Sequence, residues 1–141
     1  MNWKSEAIER LNRYPAMVQA LENIPMEIKR IEAGRIPSAS ADRIPAKTVA
    51  GPRDDGIIND MIRRQELRCA YENAKLWVDT TKKAMQVLSP QEEKILRRMY
   101  IDPKRGVVAE LCTELGMEQS SVYRHRDQAL YHFTLALYGA S

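Results

Sequence analysis

The chain has 141 residues, of which 29% are charged and 6% aromatic, enough to bury one moderate hydrophobic core or two small ones. No apolar run approaches the roughly 18 residues of a membrane helix, and the first residues lack the apolar stretch of a secretory signal, so we expect a cytoplasmic protein without a membrane partner. The formal net charge of +3 is only a weak indication of a nucleic-acid partner.

Residues 4–33 have the composition and apolar spacing of a helix that is interrupted by prolines. Pro15 and Pro25 suit the first turn of a new helical segment, where the missing backbone N–H is not needed. The pattern therefore predicts a kinked or broken helix. From residue 34 to 55, Pro37, Pro45 and Pro52 accompany glycines and small polar residues, which predicts a flexible linker.

Residues 56–87 are predicted to form one long helix. Small and apolar residues recur along it in alternating steps of three and four, the pattern of a helix that packs against another helix. These seam residues are Leu67, Ala70, Ala74, Trp77, Thr81, Ala84 and Leu88. The partner is the N-terminal segment, the same helix of a second chain, or both. A helix of this length favours a homodimer. We thus expect residues 1–88 to form a helical hairpin that mediates oligomerisation.

Residue 89 begins a second predicted region, 89–141. Ser89, Pro90 and Glu92 have the spacing of a capping box with proline at the first helical position. Ile95, Leu96 and Met99 would form the buried face of this helix, followed by a turn over residues 100–106.

Two more helices are predicted after that turn. Val108, Leu111, Cys112 and Leu115 have helical spacing, and Gly116 ends their helix. The last helix runs from about 118 to 138, and its buried side comprises Val122, Ala129, Leu130, Phe133 and Leu137. Two short helices joined by a tight turn are typical of a helix-turn-helix, whose second helix enters the DNA major groove. The predicted fold is therefore all-α, a helical hairpin followed by a helix-turn-helix module.

The outward start of the last helix carries side chains suited to reading DNA. Gln119, Ser120, Tyr123 and Arg124 lie away from the predicted buried side. Arginine pairs with guanine and glutamine with adenine through two hydrogen bonds each. Cations that could contact phosphate are Lys104, Arg105 and Arg126.

Charge weighs against this interpretation. Residues 89–141 contain seven basic and seven acidic side chains, so DNA affinity must come from local charge distribution. In a competing interpretation, Arg124 pairs with Asp127 three residues on, and the polar face is merely solvated.

Nothing in the sequence predicts an enzyme, a cofactor or a metal site. There is no glycine-rich dinucleotide motif, P-loop, zinc-protease motif or nucleophile elbow. Cys69 and Cys112 are not arranged as a CxxC pair and are expected to be reduced thiols. We expect His125 and His132 to have no carboxylate close enough to form a metal site, and we interpret them as residues at the edge of the core.

The motifs LSPQEEKIL and LCTELGMEQSSVYRHRDQAL resemble region 4 of bacterial sigma factors over about 50 residues. The whole layout resembles the ArpU/RinA-type regulators of prophages of Gram-positive bacteria: RYPAMVQALENIPMEIKRIE, a linker, KLWVDTTKKAMQVLSPQE and a C-terminal ALYHFTLALYG. This resemblance implies control of phage late genes in a bacterial host. It also implies DNA contacts by Ser121, together with Gln119, Ser120, Tyr123 and Arg124. Glu118 departs from the Ser or Thr common at the helix start.

Three functions are compatible with these observations. The first is a sequence-specific activator that binds double-stranded DNA as a homodimer, with RNA polymerase as a candidate partner. The second is a packaging initiator like a small terminase, although its helix-turn-helix often comes first in the chain. The third is a helical interaction protein whose degenerate helix-turn-helix binds no DNA.

Overall fold

The computed structural model describes residues 2–34 and 50–139, with side chains in 2–34 and 56–139. All regular secondary structure in these ranges is helical, which confirms the predicted fold class at the level of all-α. The helices are α1 (Trp3–Ala33), α2 (Ala50–Gln86), α3 (Pro90–Leu96), α4 (Val107–Leu115) and α5 (Gln119–Tyr138). A π-helical turn, Arg97–Ile101, follows α3 directly. None of the described helices is long and apolar enough to cross a membrane.

The predicted break in the N-terminal helix is wrong, because α1 continues through both Pro15 and Pro25. Each proline removes one backbone donor, while the donors of the neighbouring turns remain. Burial on both sides of the prolines, at Leu11 and Ile31, supports the continuous helix. The side chain of Asn2 accepts hydrogen bonds from the N–H groups of the first turn and caps α1.

The second helix, α2, begins at Ala50 and so includes the last six residues of the predicted linker. Pro52 lies in its first turn, where a proline costs no intrahelical hydrogen bond. The rest of the predicted linker, residues 35–49, lies outside the described residues.

The chain divides into two compact units. Unit 1 comprises the described residues up to Val18 and those from Leu76 onward, and unit 2 those from Gln19 to Lys75. In unit 1, Ala84 and Leu88 of the predicted seam share a buried cluster with Ala7 and Leu11 of α1. The N-terminal helix is thus a partner of this part of the seam. The cluster also includes Met85, Leu96, Ile101, Ala129, Leu130 and Phe133, so it crosses the predicted domain boundary at residue 88.

In unit 2, α1 and α2 are joined by ion pairs and contribute buried side chains. The Glu32 carboxylate lies 3.4 Å from Arg64 Nη1 and 3.8 Å from Arg68 Nη2. Ile31 and Ala74 are buried. Four large apolar side chains near the start of α2 are exposed: Ile57, Ile58, Met61 and Ile62.

A second buried cluster holds the three C-terminal helical segments together within unit 1. Ile95 of α3, Leu111 of α4 and Val122 of α5 are fully buried in it. Val107, rather than the predicted Val108, packs against this cluster at the start of α4. The remaining residues around it are Met99, Cys112, Leu115 and Met117.

The start of α3 confirms the predicted capping box. Ser89 Oγ accepts from the Glu92 backbone N–H at 3.2 Å, and Glu92 Oε1 accepts from the Ser89 N–H at 3.2 Å. The turn predicted to start at Tyr100 instead starts after Ile101, because the backbone continues through the π-helical turn. Asp102 N–H donates to Arg97 O at 2.8 Å, a spacing of five residues. Leu96 and Ile101 are also five apart, and this wider turn brings both into the first cluster.

Candidate nucleic-acid interface

The start of α5 is fixed by a three-residue turn and by one buried anchor. The helix α4 ends at Gly116, whose φ of 65° lies in the left-handed region that favours glycine. Met117 N–H donates to Cys112 O at 3.1 Å, and α5 begins at Gln119. Because Val122 is fully buried, the opposite side of the first two turns of α5 faces solvent.

The structure brings together the residues predicted to face DNA. Gln119, Ser120 and Arg124 are exposed, while Ser121 and Tyr123 are half-buried. Gln119 Nε2 lies 3.4 Å from the Tyr123 hydroxyl, and Arg124 Nη2 donates to Ser121 Oγ at 3.2 Å. These contacts join exposed groups of one surface, where base edges or phosphates can replace them.

The ion pair between Arg124 and Asp127, one part of the competing interpretation, is not formed. Asp127 Oδ1 instead lies 2.8 Å from Lys4 Nζ and 2.9 Å from Arg126 Nη2. Burial raises the pKa of Asp127, but its hydrogen bonds with Lys4 and Arg126 outweigh that effect and hold the pKa below its ordinary value.

The N-cap residue of α5 is the one at which the sequence departs from the sigma-like motif. Glu118 occupies the N-cap position with extended backbone, and its side chain makes no capping hydrogen bond. A serine or threonine there would accept from the first turn. The capping that the sigma-like motif implies at this position is therefore missing.

Most basic side chains of residues 89–141 are already paired with carboxylates. Lys94 and Arg98 lie 3.3 and 2.7 Å from the Glu114 carboxylate, whose pKa is lowered chiefly by the Arg98 hydrogen bond. Arg97 Nε lies 2.6 Å from Glu93 Oε1. Counting the Arg126 pair as well, four of the seven cations are ion-paired, although Lys94 and Arg98 share one carboxylate.

The remaining three cations are Lys104, Arg105 and Arg124. None has a carboxylate within 4 Å among the residues that the structure describes. Lys104 and Arg105 are exposed in the turn before α4, and Arg124 is exposed on α5. Three carboxylates likewise have no ion pair within the described ranges: Asp102, Glu110 and Glu118. The surface therefore carries charges of both signs and is not strongly basic.

Arg126 differs from the other predicted phosphate contacts, because its side chain is only 22% exposed. Its guanidinium carbon lies 4.9 Å from the centre of the Tyr123 ring. Tyr100 is a further neighbour: burial raises its pKa, and Arg126 acts in the opposite direction. Arg126 is thus already bound to other residues of the protein.

Sequence reasoning missed the carboxylate partner of His132. Its Nδ1 lies 2.5 Å from Oε2 of Glu92, a residue 40 positions away in the chain. Desolvation raises the pKa of Glu92, but the hydrogen bonds from Ser89 and His132 lower it to a value below the ordinary one. His125 is half-buried and its Nδ1 lies 2.8 Å from Ser121 O. No sequence signal short of the fold itself could have paired Glu92 with His132.

In the described part of the chain, no three histidine, cysteine or acidic side chains are grouped so that they could hold a metal ion. Both cysteines are free thiols: Cys69 is exposed, and Cys112 is partly buried beside the second cluster.

Comparison of the chain with protein-family models, with curated proteins and with solved structures found no match. The resemblance to sigma region 4 and to prophage regulators therefore rests on the sequence motifs quoted above.

Proposed function

We propose that α4, the turn at residues 116–118 and α5 form a helix-turn-helix that binds double-stranded DNA. The observation that carries the proposal is the geometry at the start of α5. Val122 is anchored in the second cluster, and this burial turns Gln119, Ser120 and Arg124 toward solvent. That is the end of a recognition helix which contacts base edges in the major groove.

Arg124 is the residue best suited to specify a base. It is exposed and has no carboxylate partner among the described residues, so its charge is available to a ligand. A guanidinium that pairs with the two acceptors of guanine contributes about 1–3 kcal/mol of discrimination. Gln119 is exposed about one turn earlier on the same helix and would read adenine.

Lys104 and Arg105 would hold the phosphate backbone. Both precede α4 in an exposed turn, and neither is neutralised by a neighbouring carboxylate in the described residues. With only three free cations, the number of neutralised phosphates is small. We expect log Kobs to fall with log salt with a slope of about −3 or shallower.

Regulation of transcription is the role we propose for this DNA binding, as an activator of phage or prophage late genes. The support is the resemblance to ArpU/RinA-type regulators, which extends beyond the helix-turn-helix to the N-terminal layout. Paired half-sites and contact with RNA polymerase belong to the same proposal. A packaging initiator is the second candidate, and mass in solution separates the two: a dimer fits the regulator, whereas a ring of eight or more fits the packaging protein.

The test is selection of bound sequences from a random DNA pool, followed by titration of the selected duplex at several salt concentrations. Arg124→Ala should weaken binding to the selected sequence by about 1–3 kcal/mol and relax the preference at one base pair. Lys104→Ala should weaken all sequences alike and reduce the salt slope by about 1.

Arg13→Ala is a matched control, because it removes the same charge from an exposed position on α1. It should leave base preference unchanged. A pool that yields no enriched sequence, or a Tyr123/Arg124 double alanine variant that binds like the wild type, would refute the assignment. In that case the third candidate, a helical interaction protein, would be favoured.

A further inference from the structure

A chain of contacts in unit 1 lies behind the proposed DNA-reading surface. It starts on α1, where Lys4 Nζ lies 2.8 Å from Asp127 Oδ1. The same carboxylate oxygen accepts from Arg126 Nε at 3.0 Å. The Arg126 guanidinium carbon lies 4.9 Å from the centre of the Tyr123 ring. Three consecutive contacts thus connect the first turn of α1 with a side chain of the reading surface.

The position of Arg126 argues against a phosphate contact. Its side chain is 22% exposed, whereas the side chain of Arg13, a surface arginine, is 63% exposed. The Arg126 guanidinium is already paired with the Asp127 carboxylate, which it shares with Lys4. A phosphate would have to compete with a carboxylate less than 3 Å away, which makes Arg126 a poor source of counterion release.

The contact with Tyr123 points to a different role for Arg126. A planar guanidinium over an aromatic face is attracted by the ring and also restricts the ring orientation, which a flexible ammonium does less well. At the far end of the Tyr123 side chain, the hydroxyl lies 3.4 Å from Gln119 Nε2. In the free protein the ring is therefore contacted from two sides, by Arg126 on its face and by Gln119 at its hydroxyl.

We propose that Arg126 is a positioning residue, which orients Tyr123 for base recognition without touching DNA, and that Lys4 supports it through Asp127. This inference rests on the proposed function of α5 as a recognition helix. It assigns a specificity role to α1, because the helix that carries Lys4 then influences which sequence is bound.

The experiment compares Arg126→Lys with wild type on the selected duplex and on an unrelated duplex. Lysine keeps the charge but loses the planar contact. We expect affinity for the selected duplex to fall about fivefold, with no change on the unrelated duplex and no change in salt slope. In a Tyr123→Ala background, Arg126→Lys should have no further effect, because the positioned ring is gone. Arg97→Lys is the matched control, since Arg97 pairs with Glu93 and has no cation–π contact within the described part of the chain.

A second measurement does not depend on DNA. In protein with isotope-labelled tyrosines, the Tyr123 ring resonances should shift in Arg126→Lys and in Lys4→Ala, but not in Arg97→Lys. Circular dichroism checks that each variant is folded. Unchanged Tyr123 resonances would overturn the inference whether or not DNA is bound.

The DNA arm separates the remaining outcomes. If Arg126→Lys binds like wild type while Arg126→Gln weakens both duplexes alike and lowers the salt slope by about 1, Arg126 is a phosphate contact and the inference is wrong. If wild-type protein does not distinguish the two duplexes, the proposed function itself fails, and the resonance measurement alone decides whether Arg126 orients Tyr123.

Discussion

The Nδ1 atom of His132 on α5 lies 2.5 Å from Oε2 of Glu92, the third residue of α3. The other carboxylate oxygen accepts from the Ser89 N–H in the capping box. One side chain therefore both caps the start of α3 and binds the C-terminal half of α5. Its protonation should weaken both contacts together.

The stability of the folded protein should decrease in acid partly through Glu92. The pKa of this carboxyl is lowered in the folded protein, so its stabilisation is complete above the unfolded pKa of about 4.3 and is lost as pH falls through the folded pKa. Glu92→Gln can still accept from the Ser89 N–H but does not titrate. It should be less stable than wild type at pH 7, and the difference between the two proteins in urea unfolding should shrink as pH falls below about 4.3. A constant difference between pH 7 and pH 3 would contradict this assignment.

Gly116 and Gly56 form a matched pair for testing the turn before α5. A Cβ at either position meets no atom within 4 Å, so alanine tests the backbone alone. Gly116 has a positive φ, and Gly116→Ala should destabilise the fold by about 1 kcal/mol. Gly56 lies inside α2, where Gly56→Ala should stabilise it by about 0.5–1 kcal/mol. Thermal and urea unfolding measure both, and equal effects of the same sign would refute the helix-end geometry.

Substitutions at Ala74 and Ala70 test which side of α2 packs against other residues of the same chain. Both belong to the predicted seam, but Ala74 is buried and Ala70 is exposed. Ala74→Glu should therefore cost about 3 kcal/mol or more, because it buries an unpaired charge. Ala70→Glu should change stability by less than about 0.5 kcal/mol.

The same two variants bear on the predicted homodimer. If a second chain covers the seam, Ala70→Glu should reduce the mass measured by light scattering at tens of micromolar without unfolding the protein. A wild-type monomer at that concentration would remove the argument for paired half-sites.

Arg10 should contribute to stability by bonding to a buried residue of α2. Its Nε donates to Thr81 Oγ1 at 2.8 Å, and its guanidinium carbon lies 4.6 Å from the centre of the Trp77 ring. Arg10→Lys keeps the charge but not the planar contact, and should cost about 1–2 kcal/mol. Arg13→Lys, at an exposed ion pair with Glu9, should cost less than about 0.5 kcal/mol. Urea unfolding followed by tryptophan fluorescence compares them.

Local signals predicted the helices well, and contacts between distant residues account for most of the errors. The capping box at Ser89 and the buried side of α5 depend on neighbours within one helix, so the sequence contains them. The start of α5 was likewise predictable, since the spacing of Val122 and Ala129 indicates which side is outward.

Other features depend on partners that no spacing identifies. α1 passes through two prolines because burial outweighs two lost hydrogen bonds. The π-helical turn allows Leu96 and Ile101 to reach one cluster, which a helical period of 3.6 does not predict. The contact of Arg126 with Tyr123 could be suspected from their spacing of three residues. The ion pair between Asp127 and Lys4 could not, because it joins residues that are distant in the sequence.

The contact between Arg10 and Tyr138 joins residues 128 positions apart. Trp3 and Tyr131 are in edge-to-face contact across a similar separation. During translation, α1 is therefore made long before the helix that packs beside it, and domains that depend on such distant contacts fold late. Until Phe133 and Leu137 have left the ribosome, the cluster around Leu11 is incomplete, so the nascent chain exposes apolar surface that chaperones can bind. A nonsense mutation anywhere between α2 and α5 would leave that surface permanently open to aggregation.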